Sequence, residues 1–233
     1  MGTLYVVATP IGNISDISLR AARTLLTAEV IVCEDTRKTG ILLKEVAKLF
    51  SGYQETVKPH LFSYYDQTEV QKMPEILELL EHGKDVVLVS DAGTPTISDP
   101  GFKLVRECAA KGIRIVAIPG PSAAVAALSV SGLPTDRFFF VGYPPKKDNH
   151  RMAFWQELQN AKQDMHTTII FYEAPHRIQK TLEEMSSIFG KDQYVVLSRE
   201  LTKLYEETLR GSLEKLIAHF AKIEPRGEFV VLF

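Results

Sequence analysis

Short apolar runs alternate along this sequence with stretches of helical periodicity, and that alternation constrains the fold more than any other feature. Leu4–Ala8, Val30–Cys33, Val86–Ser90, Ile113–Ile118, Phe138–Gly142, Thr168–Tyr172, Tyr194–Ser198 and Glu228–Leu232 read as strands. Several are unbroken β-branched or aromatic runs, which suit strands covered on both faces. Between them lie amphipathic helices. Leu213, Leu216, Ile217, Phe220 and Ala221 form one apolar stripe, with Ser212 placed to cap it. Ile178, Leu182, Met185 and Phe189 form a second, opened by Pro175, and Met73, Ile76, Leu77 and Leu80 a third, stopped by Gly83. Strand–helix alternation of this kind predicts α/β architecture.

With 233 residues, the chain is long enough for one large domain or two small ones. Ser131–Asp136, SGLPTD, is the expected boundary, giving an N-terminal domain over 1–131 and a C-terminal domain over 132–233. Lys+Arg is 27 and Asp+Glu is 29, a formal net charge of -2. That excludes a globally basic nucleic-acid binder but not a local basic patch. Cys33 and Cys108 make neither a zinc spacing nor a disulfide framework, which suits a reducing compartment. There is no apolar run long enough for a membrane span and no signal-peptide pattern at the N-terminus, so a cytoplasmic protein is expected. No carboxylate, His or Cys cluster has ligand spacing, and no metal is expected.

The loops that follow the strands carry the chemistry. Ala8–Asp16 follows the first strand; its bland reading is a turn with Asp16 or Ser18 capping the next helix, and it lacks a GxGxxG fingerprint. Ser90-Asp91-Ala92-Gly93-Thr94-Pro95-Thr96-Ile97-Ser98-Asp99-Pro100-Gly101 is longer than a strand-to-helix link requires, and reads either as a binding loop or as a surface excursion. Ile118-Pro119-Gly120-Pro121-Ser122-Ala123 runs into a small-residue helix whose start can hold an anion. Gly120, Ser122 and Ala124 also form a loose G-x-S-x-A elbow, which keeps a serine hydrolase open, with an N-cap as the plain role of Ser122. Further strand ends carry Cys33-Glu34-Asp35-Thr36-Arg37-Lys38, Glu173-Ala174-Pro175-His176-Arg177 and Arg199-Glu200-Leu201-Thr202-Lys203. Functional residues gather at such ends in open α/β sheets, although isolated Glu–Arg pairs are usually surface ion pairs.

Taken in order, ATPIGN, CEDTR, LVSDAGTP, ISDPG, IPGPSA, FYEAPHR, RELTK and RGEFVVL resemble the small-subunit ribosomal RNA 2′-O-ribose methyltransferases of the tetrapyrrole-methylase superfamily, from Leu4 to Phe233. The resemblance implies two α/β domains with S-adenosylmethionine in the interdomain cleft. It places Pro10, Ser90, Asp91, Ala92, Gly93, Thr94, Ile97, Ser122, Ala123, Glu173 and Leu201 at the cofactor. It implies a cytidine ribose in the decoding region of 16S rRNA, within the small ribosomal subunit, as substrate, and a homodimer as the working form. Candidates for the chemistry are Glu173, Glu200 and Lys203, with His176 behind them. Arg37, Lys38, Arg177 and Arg199 are candidates for RNA phosphate contacts. A small-molecule methylase of the tetrapyrrole type is the alternative within the same fold. Many members of the group continue into a small helical appendage after RGEFVVL, whereas this sequence stops at Phe233, so any RNA contact by such an appendage is left open.

Overall fold

The computed structural model describes residues 1–50, 58–65, 67–165 and 167–233. They form two compact units, Met1–Ser122 and Ala123–Phe233. The first holds strands β1 (Thr3–Val7), β2 (Val30–Cys33), β3 (His60–Ser63), β4 (Val86–Leu88) and β5 (Arg114–Ile118). They make one parallel sheet in the order β3-β2-β4-β1-β5. Its helices are α1 (Leu19–Thr27), α2 (Thr36–Leu49), α3 (Glu69–Glu81) and α4 (Phe102–Ala110).

The unbroken apolar strands are explained by two cores, one on each face of this sheet. Val30, Val32, Val86 and Leu88 pack with Ile76, Leu80, Leu104 and Cys108 from α3 and α4. Their neighbours Ile31, Cys33, Val87 and Val89 pack with Ala21, Ala22, Leu25 and Val46 from α1 and α2. Alternate residues of a strand point to opposite faces, so both positions must be apolar when both faces are covered.

The second unit holds β6 (Phe138–Phe140), β7 (Thr168–Glu173), β8 (Tyr194–Arg199), β9 (Glu207–Ser212) and β10 (Phe229–Leu232) in the order β6-β7-β10-β8-β9. Only the β6–β7 pair is parallel. On one face, α6 (Asp148–Met165), α7 (Pro175–Phe189) and α8 (Leu213–Phe220) bury Trp155, Ile178, Leu182, Met185, Leu213 and Leu216 against Ile169, Phe171, Val195, Leu197 and Val231. The predicted caps are present. Pro175 opens α7, and Ser212 Oγ accepts from Lys215 N.

The boundary differs from the sequence expectation. Helix α5 (Ala123–Ser131) packs on β7 and β10 and so belongs to the second unit, which makes Ser131–Asp136 a connector inside that unit. Second-unit side chains satisfy both of its ends. Tyr172 Oη accepts from Ala124 N at 3.2 Å, and Arg210 donates to the carbonyls of Val130 and Ser131. A helix end leaves backbone groups unpaired, and these contacts tie α5 to its sheet.

Strands β3 and β9 were not expected from the sequence. Both lie at sheet edges, where one side is wet and the apolar run is lost; β3 reads His-Leu-Phe-Ser and β9 reads Glu-Thr-Leu-Arg-Gly-Ser. No helix among the described residues is long and apolar enough to cross a membrane.

Candidate functional site

In the first unit, the loops after β1, β4 and β5 meet at the carboxyl edge of the sheet, the place where open parallel sheets bind ligands. Thr9 and Gly93 exchange backbone hydrogen bonds of 2.8 and 3.1 Å, tying the first loop to the second. The Thr9 hydroxyl, itself buried, faces the carbonyls of Ser90 and Gly93. Thr94 Oγ1 donates to Pro121 O at 3.1 Å, tying the second loop to the third.

Close backbone approach makes two glycines necessary here. Gly93 sits at φ +84°, and a Cβ on it would lie 3.4 Å from Ile11. A Cβ on Gly120 would lie 3.0 Å from the Ala8 side chain. Pro10, Ser90, Asp91, Ala92, Gly93 and Thr94 are thereby brought together, with Ala92 and Ile97 exposed. Ser122 ends this unit and Ala123 opens the next.

The long loop is held at both ends by acidic side chains that sequence reasoning missed. Glu34 Oε1 accepts from Asp91 N at 3.2 Å. Glu69, nearly buried at the start of α3, accepts from Gly101 N at 3.2 Å and pairs with Lys103 at 2.9 Å. Burial pushes the Glu69 carboxyl up, but the hydrogen bonds from Lys103 and Gly101 help hold it below its ordinary value. The only sequence signal was an acid at the head of an apolar helix stripe. Glu69→Ala is expected to cost about 1–3 kcal/mol, because a buried N–H loses its acceptor. Urea unfolding measures this, and a change under 0.5 kcal/mol on that scale would show that water replaces the carboxylate.

Asp91 is the polar centre of the loop. Its Oδ2 takes Lys38 at 2.7 Å, while its Oδ1 is buried without a hydrogen-bond partner. Asp91 raises the affinity of Lys38 for its proton, mainly through that hydrogen bond. Arg37, by contrast, folds back on Asp35, the N-cap of α2, and holds that carboxyl well below the usual range.

In the second unit, β7 and β8 both end beside Phe229 of β10, so Glu173 and Arg199 lie at the same end of the sheet. Glu173 is fully buried. Its Oε1 accepts from Ala174 N at 2.9 Å, its Oε2 accepts from Thr181 Oγ1 at 2.7 Å, and Arg177 lies 3.3 Å away. Both oxygens of Glu173, expected to perform chemistry, are thus engaged within the turn from β7 into α7. Arg177, expected at RNA phosphates, bonds the carbonyls of Pro144 and Pro145 and is largely covered.

Glu200 and Lys203 remain accessible and form an ion pair at 2.9 Å. Arg199 pairs with Glu207 at 2.7 Å, and Leu201 is buried. Glu200 and Thr202 adopt φ +49° and +67°, and Thr96 and Ser98 of the first unit adopt +72° and +63°. These are the positive-φ non-glycine residues among those described, and all lie in the two candidate loops. Backbone strain of this kind persists only where surrounding structure imposes it. Gly227, at φ +77°, leaves room for Glu200; a Cβ there would sit 2.4 Å from Glu200 Cγ.

Among the described residues no hydrogen bond joins a histidine to the Ser122 hydroxyl. Among the described residues no group of three His, Cys, Asp or Glu is placed to hold a metal ion.

Residues 3–217 match the family model described as Tetrapyrrole (Corrin/Porphyrin) Methylases. The chain is 41% identical over 232 residues to "Ribosomal RNA small subunit methyltransferase I" of Thermotoga maritima, covering 100% of this chain and 98% of that one. It is 42% identical to the protein of the same name from Escherichia coli O157:H7, covering 99% of this chain and 77% of that one. Among solved structures, diphthine synthase superposes with a TM-score of 0.71 at 17% identity, covering 100% of this chain and 90% of that one. Uroporphyrin-III C-methyltransferase from Thermus thermophilus, complexed with S-adenyl homocysteine, superposes with a TM-score of 0.63 at 18% identity, covering 99% and 97%. The two structural likenesses carry the fold, and the sequence matches carry the kinship: this chain belongs to the tetrapyrrole methylase family and, within it, to the ribosomal RNA small subunit methyltransferase I group.

Proposed function

We propose that this chain is an S-adenosylmethionine-dependent methyltransferase acting on the ribose 2′-oxygen of a cytidine in the decoding region of 16S rRNA, within the small ribosomal subunit. The observation that carries the reading is the identity of 41–42% along essentially the whole chain to proteins named for small-subunit rRNA methylation. The likeness to the uroporphyrin enzyme is 18%, which leaves a tetrapyrrole substrate as the weaker reading.

The first-unit loops fit the cofactor on their own chemistry. Gly93 and Gly120 leave a surface that a Cβ would fill, and the orphaned Asp91 Oδ1 lacks the donor that a ribose hydroxyl or an ammonium group supplies. Pro10, Ser90 to Thr94 and Ile97 would hold it there, largely through backbone groups, with Ser122, Ala123 and Leu201 as further proposed contacts. The cofactor supplies an electrophilic methyl group on a sulfonium sulfur.

The chain's own contribution is orientation and proton handling. Orienting two reactants for in-line attack removes most of the entropic barrier. The 2′-hydroxyl is a weak acid, and Glu200 is the proposed acceptor of its proton. Lys203 holds Glu200 and offers a cation to the developing oxyanion or a neighbouring phosphate. His176 stands behind them as a reserve candidate. Glu200→Gln is expected to lower kcat about 10²-fold. Gly227→Ala is expected to do nearly the same at a distance, because it evicts the Glu200 side chain. If turnover is unaffected in both variants, Glu200 is not the proton acceptor.

The direct test incubates the protein with methyl-labelled cofactor and small subunits, then maps the labelled nucleoside. Label on a cytidine ribose supports the reading; label on a base, or none, overturns it. A homodimer in the cytoplasm is the proposed working form, and light scattering after gel filtration checks it, with a monomer at working concentration counting against it.

A further inference from the structure

The cations that the sequence nominates for RNA are all engaged. Arg37 pairs with Asp35, Lys38 with Asp91, Arg177 with Glu173 and Arg199 with Glu207. A cation already paired with a carboxylate must leave or share that partner before it can neutralise a phosphate, so it adds less to nucleic-acid affinity than an unpaired one. The second unit carries a different basic element, the segment Gly142-Tyr143-Pro144-Pro145-Lys146-Lys147 between β6 and α6.

This segment continues the β6–β7 ladder, with Val141 N bonded to Ile170 O and Tyr172 N to Gly142 O. It therefore leaves the sheet at the end where Glu173 and Arg199 also lie. Two guanidinium groups fix it from beneath. Arg177 donates to the carbonyls of Pro144 and Pro145 at 2.9 and 3.3 Å. Arg151 donates to those of Pro145 and Lys146 at 3.3 and 3.1 Å. The two prolines add fixed φ angles and remove two donors, so the loop is rigid and its carbonyls face inward.

What faces outward is an aromatic ring and two lysines. Tyr143 is 44% exposed, its ring set edge-on against Tyr172 at 5.6 Å. Lys146 and Lys147 are exposed, and among the described residues neither has a carboxylate within ion-pair distance. The adjacent Asp148 does not neutralise them, because Arg151 and Lys180 already take it at 2.9 and 2.6 Å. A held aromatic face beside unpaired cations is the combination that binds a single nucleic-acid strand: bases stack on the ring while the cations meet phosphates.

We propose that Tyr143, Lys146 and Lys147 form a preorganised RNA-contact surface, with Tyr143 stacking an unpaired base and the two lysines holding the flanking phosphates. This rests on the reading of the chain as an RNA methyltransferase and deepens it by placing a substrate contact.

The test uses the full chain and a fluorescein-labelled single-stranded oligoribonucleotide in a salt series, with methylation of small subunits run in parallel. Lys146→Ala/Lys147→Ala is expected to weaken binding at least tenfold and to reduce the slope of log K against log salt by about 1.4, two phosphate contacts at ~0.7 each. Tyr143→Ala is expected to weaken binding about 5- to 100-fold with the slope unchanged, the signature of lost stacking. Lys146→Arg/Lys147→Arg restores the slope. Cofactor binding of each variant, followed by calorimetry, reports that the fold is intact. Wild-type protein that methylates subunits, with a lysine variant of unchanged affinity and slope, overturns this proposal alone. Wild-type protein that neither binds RNA nor methylates subunits overturns both readings.

Discussion

Arg151→Ala is expected to destabilise the second unit by about 3–5 kcal/mol, the cost of leaving one member of a buried ion pair uncompensated. Arg151 is 3% exposed on the first turn of α6. Its fork meets Glu184 of α7 through two parallel bonds of 2.6 Å, and Trp155 Nε1 adds a third donor to the same carboxylate at 3.2 Å. Bidentate geometry of this kind is the strong form of the interaction. The variant strands Glu184 and also frees the Pro145 and Lys146 carbonyls. Arg151→Met/Glu184→Leu, which removes both charges, is expected to recover most of the loss, because apolar replacements of a buried pair are often neutral or stabilising.

The pH dependence separates the pair from simple packing. Burial pushes the Glu184 carboxyl up, but the Arg151 and Trp155 hydrogen bonds more than reverse this, so the folded value lies below the ordinary one. A depressed carboxyl contributes stability above its unfolded pKa and loses it as pH falls through the folded one. The wild type should therefore lose stability progressively below pH ~4.3, and the doubly apolar variant should show a shallower slope there. Urea midpoints at neutral and acidic pH measure both effects. A single-variant loss under about 1 kcal/mol, the range of exposed pairs, would place Arg151 in water.

The second large effect concerns Gly101. It opens α4 at φ +117°, a conformation that L side chains rarely adopt, and a Cβ there would lie 2.7 Å from Cδ2 of the buried Leu88. Backbone strain costs about 1–3 kcal/mol, and overpacking a filled core costs a similar ~1–3 kcal/mol. Gly101→Ala is thus expected to lose about 2–6 kcal/mol in sum. Its second consequence is functional. Gly101 N is where Glu69 fixes the far end of the loop that begins at Ser90. Affinity for S-adenosylmethionine should fall at least ~10-fold, the equivalent of about 1.4 kcal/mol. Gly112→Ala supplies the control, since Gly112 shares a positive φ but has open space around the missing Cβ. Thermal midpoints and calorimetric titration of both variants decide the matter. If the two behave alike, the contact with Leu88 carries no weight.

Much of the architecture was legible because it is written in local pattern. Val30–Cys33 and Val86–Leu88 are apolar at every position, and only strands covered on both faces require that. The stripes of α7 and α8 announced their buried faces and their caps. Edge strands β3 and β9 escaped because a half-wet strand keeps no continuous apolar run. The place of α5 escaped because its small residues fit either neighbour; contacts with Tyr172 and Arg210, far away in sequence, decided it.

The site divides in the same way. Glycine- and proline-rich loops at strand ends marked the proposed cofactor region, because backbone shape is encoded by the residues that make it. Charged residues were a poorer guide, since a carboxylate or guanidinium has the same identity whether it meets solvent, substrate or a neighbour. Glu173 and Arg177 stood in a motif, yet the fold commits them to Thr181, Ala174 and the Pro144–Pro145 carbonyls. Lys146 and Lys147 stood in no motif, yet the fold leaves them unpaired beside Tyr143. The sequence by itself determined the covered strands, the striped helices and the loops that join them, because hydrophobic period and turn chemistry are properties of adjacent residues. Only the tertiary structure decided which charges are spent internally, because a charge is quenched by a partner that proximity in space, not in sequence, supplies.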